Sequence, residues 1–275
     1  MPLKELPRSP HATMLEGQIA IRPGAFPPDG LSASLNVAVV KLPGVQACGP
    51  DQTGDGVTDD AFTAIHRAIR GFTLAEQSAP VVGISWIDFC DPELTLASVG
   101  LIWNGARFEG SLNRVPTRAV DEEVLDWVER YLHLSPEMCD VVDVAMDRLN
   151  LARRRTSLGD KAIDGAICLE SLLGDGTSQE LSYRLKLRAA LLLGKAVEER
   201  KAIRDAVRKF YTLRSNVVHG RAMAEKNNSA DGATVAKGLE ICGLALQAIV
   251  KMNRKPIPSE WELSGGVSEP SASDL

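Results

Sequence analysis

Arg214 and His219 sit five residues apart in the run Arg214-Ser215-Asn216-Val217-Val218-His219-Gly220, which closes a long amphipathic segment. One side chain is a permanent cation, and the other is of the type that gains and loses a proton near neutral pH. Cleavage of an RNA phosphodiester by internal transesterification needs a base for the 2′-hydroxyl and a cation for the extra charge on phosphorus. His219 as the base and Arg214 as the cation meet both needs without a metal ion. Gly220 is the residue type favoured just past a helix C-terminus, so the His219 ring is expected free of the helix, at the edge of a cleft.

Three charged residues fall on stripes that should be buried. Glu170 shares its stripe with Ile163, Ala166, Ile167 and Leu173. Arg188 falls in line with Leu181, Leu185 and Leu192, and Arg214 with Ile203, Val207, Phe210 and Val217. An unpaired buried charge costs several kcal/mol, so these three are expected to pair with one another or to line a common cleft. The expected arrangement has Glu170 accepting hydrogen bonds from Arg188, Arg214 or both. The plainer alternative is a buried ion-pair network that only fixes helix register.

The elements that must position these residues follow from local signals. The chain changes character near residue 118. Before it, Pro and Gly punctuate short β-like runs at Gln18 to Arg22, Ser34 to Leu42, Val81 to Phe89 and Val99 to Trp103, with one helix from Asp59 to Phe72. After Pro116 the pattern is helical: Asp121 to His133, a helix capped by Ser135-Pro136 and running to about Arg153, then Asp160 to Gly174, Ser178 to Leu193, Val197 to Val218 and Ala233 to Met252. Short connections between such helices predict an antiparallel bundle. The expected fold class is α+β: a flexible N-terminus over 1–14, a small mixed α/β domain over 15–118, a helical bundle over 119–252 and a disordered tail over 253–275.

Composition sets the remaining bounds. Hydrophobic residues make up 44% of the 275 and charged residues 24%, with a net charge of −5. The charge is uneven. From Arg148 to Lys226 there are 17 Lys and Arg against 9 Asp and Glu, a local +8, while the remainder carries 14 against 27, a local −13. A basic segment within an acidic chain permits phosphate binding, although solvated helix faces are the usual origin of such a run. Four histidines and five cysteines are scattered without Cys-x-x-Cys spacing, so neither a metal site nor a disulfide framework is expected. No cofactor is expected. The first ten residues lack a secretory h-region and no apolar run approaches spanning length, so a cytoplasmic protein without a membrane partner is expected.

Gly54-Asp55-Gly56-Val57-Thr58-Asp59-Asp60 imitates a β-helix signature and part of a calcium loop, but Phe62 stands where such a loop needs a bidentate Glu. It reads as a Gly/Asp turn feeding a helix. His66 and His133 read as surface or capping residues.

Four blocks in order carry a family resemblance: Arg148-Leu149-Asn150-Leu151-Ala152; Asp164-Gly165-Ala166-Ile167-Cys168-Leu169-Glu170-Ser171-Leu172-Leu173; Tyr183-Arg184-Leu185-Lys186-Leu187-Arg188-Ala189-Ala190; and Tyr211-Thr212-Leu213-Arg214-Ser215-Asn216-Val217-Val218-His219-Gly220. Together they resemble the HEPN superfamily, most closely its Apea-like branch, over about 119–252. The resemblance implies a helical bundle that dimerises and brings two Arg-x4-6-His motifs into one composite cleft. It implies a metal-independent endoribonuclease of toxin, abortive-infection or antiviral type. Arg214 and His219 would be its catalytic pair, with Ser215 or Asn216 as the polar residue beside the arginine and Glu170 and Arg188 as supports. RNA is the implied substrate, and a second copy of this chain the implied partner. Residues 15–118 could bind a protein partner or RNA, or sense a trigger. Two further members of the superfamily set the alternatives: a non-catalytic module that binds RNA or protein, and a toxin partner of a nucleotidyltransferase. The latter subgroup carries Tyr two residues after the histidine, where this chain has Arg221.

Overall fold

The computed structural model describes residues 55–75, 79–80, 84–87, 99–103, 120–176, 180–220 and 228–264. Among them, capping side chains open three of the helices, at Asp121, Ser135 and Ser157. Asp121 accepts from Val124 N at 3.0 Å to open α2 (Glu122–Leu132), following α1 (Asp55–Thr73). Ser135 accepts from Met138 N, with Pro136 in the first helical position, to open α3 (Pro136–Arg154). Ser157 accepts from Asp160 N to open α4 (Leu158–Leu173). Then come α5 (Leu181–Leu193), α6 (Val197–Val218), α7 (Asn228–Met252) and α8 (Pro258–Ser264). In α6 Glu199 reaches back to the backbone N–H groups of Lys195 and Ala196, at 2.9 and 3.2 Å, and those bonds hold its carboxyl below the usual range.

The chain forms two compact units, Met1–Ile69 with Pro80–Ala119 and Arg70–Ala79 with Val120–Leu275. In the first, strands β1 (Ile84–Ile87) and β2 (Val99–Trp103) pair antiparallel, Ile84 opposite Trp103 and Ile87 opposite Val99, with a register shift between Ser85 and Ile87. The α+β fold class with a small mixed α/β N-terminal domain is corrected here. The described residues are overwhelmingly helical, and their β structure is this single pair. Two strands cannot enclose a core, and apolar runs of four or five residues between Pro and Gly do not reveal whether a sheet will assemble around them. The expected runs Gln18 to Arg22 and Ser34 to Leu42, and the flexible 1–14, lie outside the described residues. The Gly/Asp turn is corrected as well, since α1 already begins at Asp55.

The second unit is a helical bundle built around α4, which packs against α3, α6 and α7. Its core holds Met146, Leu149, Leu169, Leu173, Leu185, Phe210, Ile241 and Leu246. Phe210 of α6 reaches α4 and α7 where each carries a glycine. A Cβ on Gly238 would lie 2.3 Å from the ring, and one on Gly165 2.8 Å from its tip. The last turn of α1 belongs to this unit. Arg70 forks onto Asp147 at 2.9 and 2.8 Å and reaches Asp143 at 2.6 Å, while Tyr131 donates to Asp143 at 2.8 Å. Thr73, Leu74 and Ala75 are buried, with Arg153 and Gln247 donating to the Thr73 and Leu74 carbonyls at 2.6 and 2.7 Å.

Two expectations about the far end of the chain also change. Ser229–Met252 is long and apolar enough to cross a membrane by length and composition, with mean hydropathy 1.5, although half of that window is buried within the protein. Pro258–Ser264, counted with the disordered tail for its Pro and Ser content, is helical and buries Trp261.

Candidate functional site

Helix α6 carries its charged residues inward and outward by the 3.6-residue period, and Arg214 falls on the inward side. Its Nη2 lies 3.7 Å from Glu170 Oε1 on α4, and its guanidinium carbon 5.9 Å from the centre of the Tyr211 ring one turn back. Tyr211 donates its hydroxyl to the same carboxylate oxygen. Burial, then this hydrogen bond to Glu170, pushes the phenol well above its usual range. Glu170 and Arg214 keep 26% and 31% of their side-chain surface, so the cluster reaches solvent on one side. Arg214 Nε is nevertheless buried and has no hydrogen-bond partner among the described residues. A buried donor left unpaired costs about 1–3 kcal/mol, so the guanidinium is held but not saturated.

His219 is the C-cap of α6. Its backbone N–H returns to the Ser215 carbonyl at 3.0 Å, and Gly220 follows at φ +69°, in the left-handed region that glycine takes without strain. The residue is exposed. Ser215 and Asn216 are half-buried and make no side-chain hydrogen bond among the described residues. Val217, on the buried side, packs on the first turn of α4, where a Cβ on Gly159 would lie 3.0 Å from it. Five residues on a helix span about 7.5 Å and turn the side chain by about 140°. Arg214 therefore points back toward Glu170, while His219 stands beyond the helix end.

Arg188 does not join this cluster, so of the alternatives expected for Glu170 only the approach of Arg214 is present. Arg188 is 2% exposed and fully engaged elsewhere: Nη1 donates to the Leu173 carbonyl at 2.7 Å, Nη2 to Asp175 at 2.8 Å and Nε to Glu262 at 2.7 Å. A helical stripe tells that a side chain faces inward but not how far along a neighbouring helix it lands. Arg188 lands one turn past Glu170, on the open carbonyl end of α4. Of the sequence candidates, Glu170 and Arg214 thus meet, His219 stands at the end of the same helix, and Arg188 supports the bundle. Sequence reasoning passed over Tyr211, although its three-residue spacing from Arg214 puts both on one face. Asp175 and Glu262 had no readable signal, one lying in a connection and the other in the tail.

Among the described residues no group of three or more His, Cys, Asp or Glu is arranged to hold a metal ion. No protein-family model matches the chain, no curated protein matches it, and no solved structure matches it.

Proposed function

We propose that this chain is a cytoplasmic, metal-independent endoribonuclease of HEPN type, acting as a homodimer in defence or toxin-like RNA cleavage. One observation carries the reading: a partly exposed, incompletely satisfied Arg214 on the same helix whose end presents His219 to solvent. The four ordered blocks that resemble the HEPN superfamily support it independently.

The chemistry uses these two groups. His219 removes the proton from a ribose 2′-hydroxyl, and that oxygen attacks the adjacent phosphorus. The bond from phosphorus to the 5′ oxygen breaks, and the departing oxygen takes a proton from an imidazolium. The products are a 2′,3′-cyclic phosphate and a 5′-hydroxyl, with no water consumed. Arg214 stabilises the added negative charge on the phosphoryl oxygens, a contribution of about 3–4 kcal/mol for one well-placed donor in such sites. Because Arg214 and His219 diverge within one protomer, a second copy supplies the complementary pair across a composite cleft.

The alternative is a non-catalytic HEPN module that binds RNA or protein, and it is favoured by the hold of Glu170 on Arg214, which offsets part of the cation's charge. Labelled RNA incubated with the purified full chain in EDTA separates the two. Cleavage that disappears in His219→Ala, with the helical signal intact, supports the nuclease; intact RNA with the native chain supports the module.

A further inference from the structure

Helix α6 carries more than the candidate pair. Projected at about 100° per residue, Lys201, Arg204, Arg208, Thr212, Ser215 and His219 all fall within about 60° of one line along the helix. The first four and His219 are exposed, and Ser215 is half-buried. The line is about 27 Å long and ends at the proposed base.

The charge of the helix as a whole becomes more positive toward that end, while the cations on the line itself are Lys201, Arg204 and Arg208. Over Val197–Val218 the helix holds six Lys and Arg against three Asp and Glu, a net +3. The acids stand in the first half: Glu199 is engaged with the N-terminal backbone, Glu198 pairs with Lys201 at 2.8 Å and Asp205 lies 3.6 Å from Arg208. From Ala206 to His219 there is no acid at all. Arg204 is exposed and makes no ion pair or hydrogen bond among the described residues. Among the described residues, Lys201, Arg204 and Arg208 reach no other helix or loop. By contrast, Arg200 on the same helix donates to the Gly194 carbonyl at 2.8 Å and closes the end of α5.

We infer that this stripe of α6 is a track for the sugar-phosphate backbone of single-stranded RNA, delivering one linkage to His219. The inference rests on the ribonuclease reading for its end point, but the track is a binding surface in its own right. Three cations on successive turns, followed by the Thr212 and Ser215 hydroxyls in single file, suit one strand, whereas a duplex offers two. The chemistry points the same way: the 2′ oxygen must line up opposite the departing 5′ oxygen, and an unpaired strand can rotate into that alignment.

The test measures binding of a fluorescently labelled oligouridylate to the full chain across a salt series, in EDTA. Arg204→Gln with Arg208→Gln should weaken binding about 10- to 100-fold at low salt and flatten the slope of log affinity against log salt by about 1.4, at about 0.7 per lost phosphate contact. Arg130→Gln, on the exposed face of α2, should change neither. In cleavage assays the double variant should raise KM and leave kcat unchanged. Failure of the native chain to bind, an unchanged slope in the double variant, equal affinity for a duplex of the same length, or preference for polyglutamate over oligouridylate would each overturn the track. Binding with the expected slope but no cleavage would uphold the track and sink the nuclease reading instead. Cleavage with an unchanged slope would do the reverse.

Discussion

Tyr211 and Arg214 converge on a single oxygen of Glu170: the phenol donates to Oε1, and Arg214 Nη2 stands 3.7 Å from that same atom. The phenol makes a hydrogen bond that the carboxylate accepts, whereas Arg214 stands beyond hydrogen-bond distance. Arg214 is left oriented toward a negative charge without being locked onto it, and can still turn a donor toward a phosphoryl oxygen.

Removing the phenol hydroxyl should therefore tighten the ion pair at the expense of the reaction. In Tyr211→Phe we expect Arg214 to close on Glu170 and kcat to fall by up to about tenfold, or about 1.4 kcal/mol of transition-state stabilisation, with little change in KM. Glu170→Gln on top of it should restore part of the loss, because the competing charge is gone. Single-turnover cleavage of a labelled oligonucleotide measures both, and an additive double variant would show that the two side chains do not act through one another.

Alkaline titration provides a second check. Tyr131 and Tyr211 both have phenols raised above the ordinary value near 10, each by burial first and a carboxylate hydrogen bond second. A phenol that ionises only at higher pH in the folded state contributes stability that is fully present below pH 10. That stability is lost as pH rises from there toward the folded value. Absorbance at the phenolate band should show these two of the three tyrosines ionising together with unfolding, and Tyr211→Phe should remove one of them.

The Arg188 clasp predicts a stability effect at the chain's far end. Arg188→Met removes a donor from the Leu173 carbonyl, from Glu262 and from Asp175, which keeps Arg184 at 2.8 Å, and we expect a loss of about 2–4 kcal/mol by urea unfolding. The lower part of that range reflects the one-third exposure of the two carboxylates. Trp261→Ala should cost about 3 kcal/mol by emptying the contact that α8 makes with the bundle. Neither change should alter RNA affinity, since neither touches α6.

Gly238→Ala is expected to destabilise although alanine is the better helix former by about 1 kcal/mol. Its methyl group would sit 2.3 Å from Phe210, so the ring or the whole of α6 must move, at a cost of about 1–3 kcal/mol. Phe210→Leu in the same chain should recover part of the loss, and thermal unfolding of the three variants reads the difference.

Much of the bundle was legible from local chemistry. Val197–Val218 follows from its apolar period, and Asp121, Ser135 and Pro136 announce their helix starts. The α4 start moved from Asp160 to Leu158 because Ser157, rather than a later residue, supplies the cap. That Arg188 faces the core was readable from its stripe, but its partners were not, because Asp175 and Glu262 reach it only through tertiary packing. The N-terminal unit was misread for a related reason: short apolar runs are compatible with a sheet, but its existence depends on distant strands. Pro258–Ser264 escaped notice because one tryptophan among prolines and serines looks like linker until it has something to pack against. At the site, the inward turn of Arg214 was visible in the period, whereas the competition at Glu170 was not.

The clamp of Phe210 between Gly165 and Gly238 has a mechanical consequence for chemistry. It fixes α6 at a fulcrum near its middle, and the arm beyond it runs nine residues to His219, about 13 Å. A tilt of about 10° at the fulcrum would swing the end of that arm by about 2 Å, more than the error a reacting group tolerates. Packing defects at two glycines far from any solvent would then be felt first as lost alignment at the helix tip, before they are felt as lost fold.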